Sequence, residues 1–305
     1  MNPSLRVSSV LFAAAMLGAC AASAPRQAAD AAPAVAATPA SPAASPAGPA
    51  PNDNLNAVAW TQTAVEHDLI YREVYRNATE KLARALKDTA WDALPKDERS
   101  GSVRDLAPAV ILDIDETVLD NSPYQARLVR DGKNFDEFSW AQWCREKAAR
   151  ALPGALEFTR YAAAHGVKVF YLSNRAQDLN DATLDNLRSA GFPLAADETV
   201  FLGLGTINKD CEQVGTEKGC RRRLVAQTHR VLMQFGDQVG DFVDVLANTP
   251  DGRRAAVEPY LDWVGERWFV LPNPTYGSWE PALFNNDWTQ PERVRRAGKI
   301  GKLRY

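Results

Sequence analysis

The feature that most restricts this chain is the run Val110-Ile111-Leu112, which stops abruptly at Asp113-Ile114-Asp115. A short, unbroken apolar run reads as a strand covered on both faces, as in a parallel sheet flanked by helices. The pattern recurs. Residues 167–172 run into Ser173-Asn174-Arg175, residues 199–202 form a third run, residues 230–235 lead into Gly236-Asp237, and residues 267–271 make a fifth. Helical stretches at 154–165, 178–190 and 219–229 lie between them. This alternation predicts an α/β fold, a doubly wound, mainly parallel, Rossmann-like sheet.

Two segments are surplus to a simple strand–helix alternation. Residues 54–90 carry Val58, Val65, Leu69, Val74, Leu82 and Leu86 near three- and four-residue spacing, without Gly or Pro, which predicts a helix. Residues 120–152, with Phe135, Phe138, Trp140 and Trp143, are too many for one crossover between the first two strands. We read 52–107 and 120–152 as a small, mostly helical cap, and the remainder of 52–305 as the α/β core.

Ahead of Asn52 the composition changes. Residues 1–19 hold one basic residue, Arg6, then the apolar run Val10–Met16 and small residues, the pattern of a secretory signal. Leu17-Gly18-Ala19-Cys20 resembles a bacterial lipobox, which implies cleavage before Cys20 and lipidation of Cys20. Residues 21–51 contain 15 Ala and 7 Pro with almost no large apolar side chain, so they cannot bury enough surface to offset ordering. They read as a tether. By resemblance to bacterial lipoproteins, Ala21 after the lipidated Cys implies the outer membrane, with the domain facing the periplasm. A formal net charge of −3 is too balanced for a binder of nucleic-acid polymers.

The chemistry should sit where the strands end, because open α/β sheets bind ligands beyond their carboxyl ends. Asp113 and Asp115 are two residues apart and leave one face of the strand end; Asp237 and Asp241 follow the fourth run. Two carboxylates about 4 Å apart repel by about 4 kcal/mol at an effective dielectric of 20, so such a cluster needs raised pKa values or a cation. The three histidines, His67, His165 and His229, are widely scattered. Oxygen-only ligands favour a hard ion, Mg²⁺.

Val110 to Tyr124, Val-Ile-Leu-Asp-Ile-Asp-Glu-Thr-Val-Leu-Asp-Asn-Ser-Pro-Tyr, resembles the first signature of the class C acid phosphatases, bacterial lipoprotein 5′-nucleotidases of the haloacid dehalogenase superfamily. Residues 231–242, 171–175 and 273–280 resemble further stretches of that family. The resemblance implies a haloacid-dehalogenase-type sheet and hydrolysis of phosphomonoesters, 5′-nucleoside monophosphates above all. By position, Asp113 would be the nucleophile and Asp115 the general acid and base. Ser173 would hold a phosphoryl oxygen, and Lys218, chosen over Lys209, would offset charge. Mg²⁺ would sit on Asp113, the carbonyl of Asp115 and Asp237, with Asp241 in support. Asn174 and Arg175 would meet the substrate, and Trp140 and Tyr276 are the candidates to stack on the base. A homodimer is implied by the same resemblance.

Two other readings stand beside this one: a surface lipoprotein that binds a ligand without turnover, and a phosphotransferase to an alcohol acceptor. Cys211 and Cys220 flank a polar insertion in a chain that reads as exported, so a disulfide is expected there. Cys144 reads as buried and inert. The basic stretch 293–304 reads as a solvated helix or tail.

Overall fold

The computed structural model describes residues 51–197 and 199–305. The signal, Cys20 and nearly all of the tether lie outside the described residues. Five strands form one sheet in the order β5-β4-β1-β6-β7: β1 (Ala107–Leu112), β4 (Lys168–Ala176), β5 (Phe201–Leu204), β6 (His229–Gly236) and β7 (Trp268–Val270). Every pairing in it is parallel. The sheet is therefore the α/β arrangement that the apolar runs predicted, with β1 between β4 and β6.

Both faces of β1 are covered, which explains its lack of polar alternation. Val110 and Leu112 pack with Tyr71, Tyr75, Phe158 and Phe235, while Ala109 and Ile111 pack with Val225, Val231 and Trp268. The first layer comes from α2 (Val65–Lys87) and α5 (Ala155–Ala164), the second from α7 (Gly219–Thr228). The β1–β6 register shifts between Ala109 and Val110, passing over Leu232. There the indole of Trp91 donates to the Leu232 carbonyl at 2.8 Å, and Ala93 N donates to the Val231 carbonyl at 2.7 Å.

The expected helix over 54–90 is broken at Ala64 (φ −78°, ψ 123°) into α1 (Leu55–Thr63) and α2. No breaker residue marks the break; tertiary packing sets it. Only α2 carries a long apolar stripe, Tyr71, Tyr75, Ala78, Leu82 and Ala85, and this stripe lies on the sheet. Of residues 52–107, α1 alone sits with the cap, against α3 (Ser122–Asp131), where Gln62 donates to Ser122 Oγ at 3.2 Å. Residues 88–98 also serve the core, burying Trp91, Ala93, Leu94 and Glu98.

The rest of the cap is α3 and α4 (Glu137–Glu146). Asp136 caps α4 by accepting from Ser139 N at 2.9 Å, and Gly132 ends α3 in the left-handed region. The segment enters and leaves through a short antiparallel pair, β2 (Leu119–Asp120) with β3 (Arg150–Ala151). The described residues also hold the α-helices α6 (Asn180–Ala190), α8 (Pro250–Val257) and α9 (Glu292–Ile300) and several short 3-10 turns.

Candidate active site

Because β1 is bonded to both β4 and β6, their carboxyl ends lie side by side, and Asp113, Ser173 and Asp237 arise there. Asp113 N donates to the Phe235 carbonyl at 3.0 Å, extending the ladder to the carboxylate itself. Lys218, at the N-terminus of α7, reaches into the group. Its Nζ donates to Asp113 Oδ1, to Asp241 Oδ1 at 2.7 Å and to the Leu172 carbonyl at 2.8 Å. Asp113, Asp241 and Lys218 are each nearly inaccessible. Lys209 is exposed.

Asp113, Asp237 and Asp241 bring one carboxylate oxygen each to within 4.8 Å of one another. Crowding and burial show in their protonation. Burial, then Asp241, pushes Asp237 up to about 7, against bonds from Gln238 Nε2 and Asn273 Nδ2 at 2.8 Å each. Asp113 is held well above the ordinary carboxylate range by burial, although Lys218 opposes this. For Lys218, burial pulls down, but Asp113 and Asp241 together leave it raised. Three carboxylates facing one ammonium leave an excess of negative charge. An all-oxygen donor set of that kind fits a hard divalent cation.

The Asp115 carboxylate stands apart from this cluster. Its Oδ1 accepts from Arg175 Nε at 3.0 Å, Arg175 Nη2 at 2.8 Å and Asn121 Nδ2 at 2.9 Å, and its Oδ2 accepts from Ser173 Oγ at 3.1 Å. Any share of Asp115 in a metal site thus falls to its carbonyl. Ser173 is fully buried and also accepts from Arg175 N at 3.0 Å.

Arg175, expected to meet the substrate, is engaged with Asp115. A buried guanidinium needs a counter-charge, and it finds Asp115. Asn174 is exposed, with its Oδ1 accepting from Arg221 Nη2 at 2.6 Å.

The two candidate stacking rings reach the Asp113–Asn121 loop through one side chain each. Trp140 packs edge-on to Tyr124 at 5.2 Å between centroids and carries the Arg175 guanidinium 5.5 Å from its ring. The Tyr276 hydroxyl donates to Glu116 Oε2. Glu116 is a functional candidate to which the sequence reading gave no role. It takes a left-handed φ of 56° and is buried, so its carboxyl lies well above the usual range, through burial and then Asp115. Its Oε1 accepts from Asn121 N at 2.8 Å. Asn121 in turn accepts from the Trp143 indole at 2.8 Å, tying the cap to the residues around Asp115. Glu116 and Asn121 stand inside the quoted signature, and only their burial next to charge marks them.

Cys211 and Cys220 form a disulfide two residues beyond Lys218, with their Cα atoms 4.8 Å apart. Cys144 is a free, buried thiol, pushed up to about 12 by burial.

The family model of the HAD superfamily, subfamily IIIB (acid phosphatase), matches residues 47–279. Acid phosphatase 1 of Solanum lycopersicum is 28% identical over 166 residues, 54% of this chain and 57% of that protein. The stem 31 kDa glycoprotein of Glycine max is 29% identical over 167 residues, 54% of this chain and 58% of that protein. The match thus spans less than three fifths of these curated relatives. The class C acid phosphatase from Bacillus anthracis superposes with a TM-score of 0.70 at 33% identity, covering 83% of this chain and 97% of its own.

Proposed function

Because the chain belongs to the subfamily IIIB acid phosphatases of the HAD superfamily, we propose that it is a Mg²⁺-dependent phosphomonoesterase acting on 5′-nucleoside monophosphates. The observation that carries the reading is the group of buried Asp113, Lys218 and Asp241 with part-buried Asp237, and Asp115 two residues beyond the nucleophile on its own set of donors.

In the reaction we infer, an Asp113 oxygen attacks phosphorus and the bond to the ester oxygen breaks. A proton from Asp115 goes to the leaving oxygen, and the phosphoryl group remains on Asp113 as an aspartyl phosphate. Water then attacks that phosphorus while Asp115 takes its proton, and phosphate leaves with Asp113 restored. Acid–base assistance of this kind is worth about 10²–10⁴-fold. Arg175 and Asn121 orient the Asp115 carboxylate, Ser173, bonded to Asp115 here, would hold a phosphoryl oxygen, and Lys218 offsets charge beside Asp113. A divalent cation on Asp113, Asp237 and Asp241, with the Asp115 carbonyl, would supply the remaining positive charge for phosphoryl transfer. Trp140 and Tyr276 supply the aromatic surface for the base. Lipidation at Cys20, a periplasm-facing outer-membrane anchor and a homodimer complete the proposal.

The test is phosphate release by the detergent-solubilised full chain from a 5′-nucleotide, a 3′-nucleotide and an aryl phosphate, with Mg²⁺ or with chelator. Asp113→Asn runs beside it. Chelator-sensitive release favouring the 5′-nucleotide and absent in Asp113→Asn supports the reading. Aryl turnover without nucleotide preference removes the stacking role. No turnover of any ester by the folded, Mg²⁺-loaded chain removes the enzyme and leaves a binding lipoprotein.

A further inference from the structure

Three consecutive arginines, Arg221 to Arg223, follow Lys218-Gly219-Cys220 on the first turns of α7. Arg221 and Arg222 are fully buried and leave the helix in different directions. Arg221 turns to the tip of β4: Nη1 donates to the Ser173 carbonyl at 2.6 Å, and Nη2 to Asn174 Oδ1 at 2.6 Å and to the Glu217 carbonyl at 3.2 Å. Arg222 turns to the loop after β6. Its Nη1 donates to the carbonyls of Gly240 at 2.9 Å and Asp241 at 3.1 Å, and its Nη2 to Asp244 Oδ1 at 2.8 Å. Asp244 Oδ1 also accepts from Gly219 N at 2.9 Å, which closes the loop onto the residue after Lys218. Glu98, from the segment before β1, holds Arg222 through Nε at 2.7 Å and Nη2 at 2.5 Å.

A buried ion pair is weak grounds for stability, because apolar residues of similar volume often do as well. What sets these two apart is where their bonds end. Arg221 holds the backbone of Ser173, and Arg222 holds the backbone of Asp241, the two strand-end elements that flank Lys218. A planar fork with five donors can serve such divergent acceptors at once; an ammonium cannot.

We propose that Arg221 and Arg222 are positioning residues with separable duties: Arg221 sets the Ser173 tip against Lys218, and Arg222, braced by Glu98, sets the Asp241 loop against Lys218. The inference rests on the phosphatase reading above. It adds that anion contact and cation binding are held by different arginines and can be loosened one at a time.

The experiment measures Mg²⁺ binding by calorimetry without substrate, and inorganic phosphate binding at saturating Mg²⁺, for the full chain and its variants. Residues that orient metal ligands commonly govern affinity by about 10–100-fold, so Arg222→Lys should weaken Mg²⁺ at least about tenfold while phosphate binding at saturating Mg²⁺ holds. Arg221→Lys should do the converse. Asp244→Ala, at a partly exposed site, removes the outer tie and should reproduce the Mg²⁺ effect in part, deciding the matter if Arg222→Lys does not fold. Arg230→Lys is the structural control. Arg230 is buried and donates to the Ala85 and Asp88 carbonyls, away from both tips, so neither constant should move. Equal shifts of both constants in both arginine variants, or a change in melting temperature alone, overturns the division of duties. A wild-type chain that binds neither Mg²⁺ nor phosphate overturns the phosphatase reading and this inference with it.

Discussion

In the metal-free protein, Asp237→Asn should make the fold more stable at pH 8, by about 4 kcal/mol. The Asp237 carboxyl titrates near 3.8 in the unfolded chain and at about 7 in the fold, because burial and then Asp241 oppose its charge. Between those values the folded state holds a proton that the unfolded state has lost, so stability falls as pH rises through that window. At about 1.36 kcal/mol per pH unit, the interval from 3.8 to 7 comes to about 4 kcal/mol. An Asn side chain keeps an oxygen for Gln238 and Asn273 and never ionises, so the loss is removed. Well below 3.8 the carboxyl is protonated in both states and the advantage should vanish. Urea denaturation in chelator from pH 4 to 8 reads the difference directly. Saturating Mg²⁺ should then favour the wild type, since a ligand of the folded state alone stabilises it. A wild-type-to-variant difference that stays flat between pH 4 and 8, or a variant less stable than wild type at pH 8 in chelator, would refute the reasoning.

Three further outcomes follow from the geometry. Replacing Cys211 and Cys220 by Ser opens a short loop, a sequence separation of 9, and should cost about 2–3 kcal/mol by loop-closure entropy in urea melts; an unchanged midpoint would contradict that. Cys144, its thiol raised to about 12 by burial, should resist alkylation at pH 8 until the chain unfolds, whereas prompt labelling of the native protein, read by mass spectrometry, would place it at the surface. Arg175→Met releases Asp115 from its two-point partner and should lower kcat for a nucleotide about 10²-fold, the lower range of acid–base assistance. An aryl phosphate, whose leaving group needs less protonation, should lose less; equal losses for both esters would assign Arg175 to binding instead.

The sheet was legible because parallel strands buried on both faces leave short runs such as Val110–Leu112 and 230–235 without polar alternation. The carboxylates at their ends were legible for the same reason. Other parts were hidden for physical causes. The break at Ala64 has no local signal, since a chain of good helix formers was divided by where its side chains pack. Nothing local distinguishes Glu98 and Arg222 from solvated charges, and only the fold brings residues 124 positions apart into one buried pair. The position of Arg175 just after the apolar run of β4 is visible in the sequence, but its pairing with Asp115 depends on the fold. Glu116 was hidden by its neighbours, because a third acid beside Asp113 and Asp115 suggests surface charge until its burial is seen.

The pair Leu119–Ala151 and Asp120–Arg150 has a consequence for how such a chain can diversify. The segment between these strands leaves and rejoins the core at adjacent points, so its length and sequence can drift without moving the register of the main sheet. Ordering a longer segment between fixed ends costs little, roughly 0.6 kcal/mol for each doubling. The Trp140 ring is therefore carried on an exchangeable cassette, while Asp113, Lys218 and Asp237 stay on the frame. The segment around Trp140 can then vary while Asp113, Lys218 and Asp237 keep their places, provided Asn121 and the Trp143 that holds it are kept.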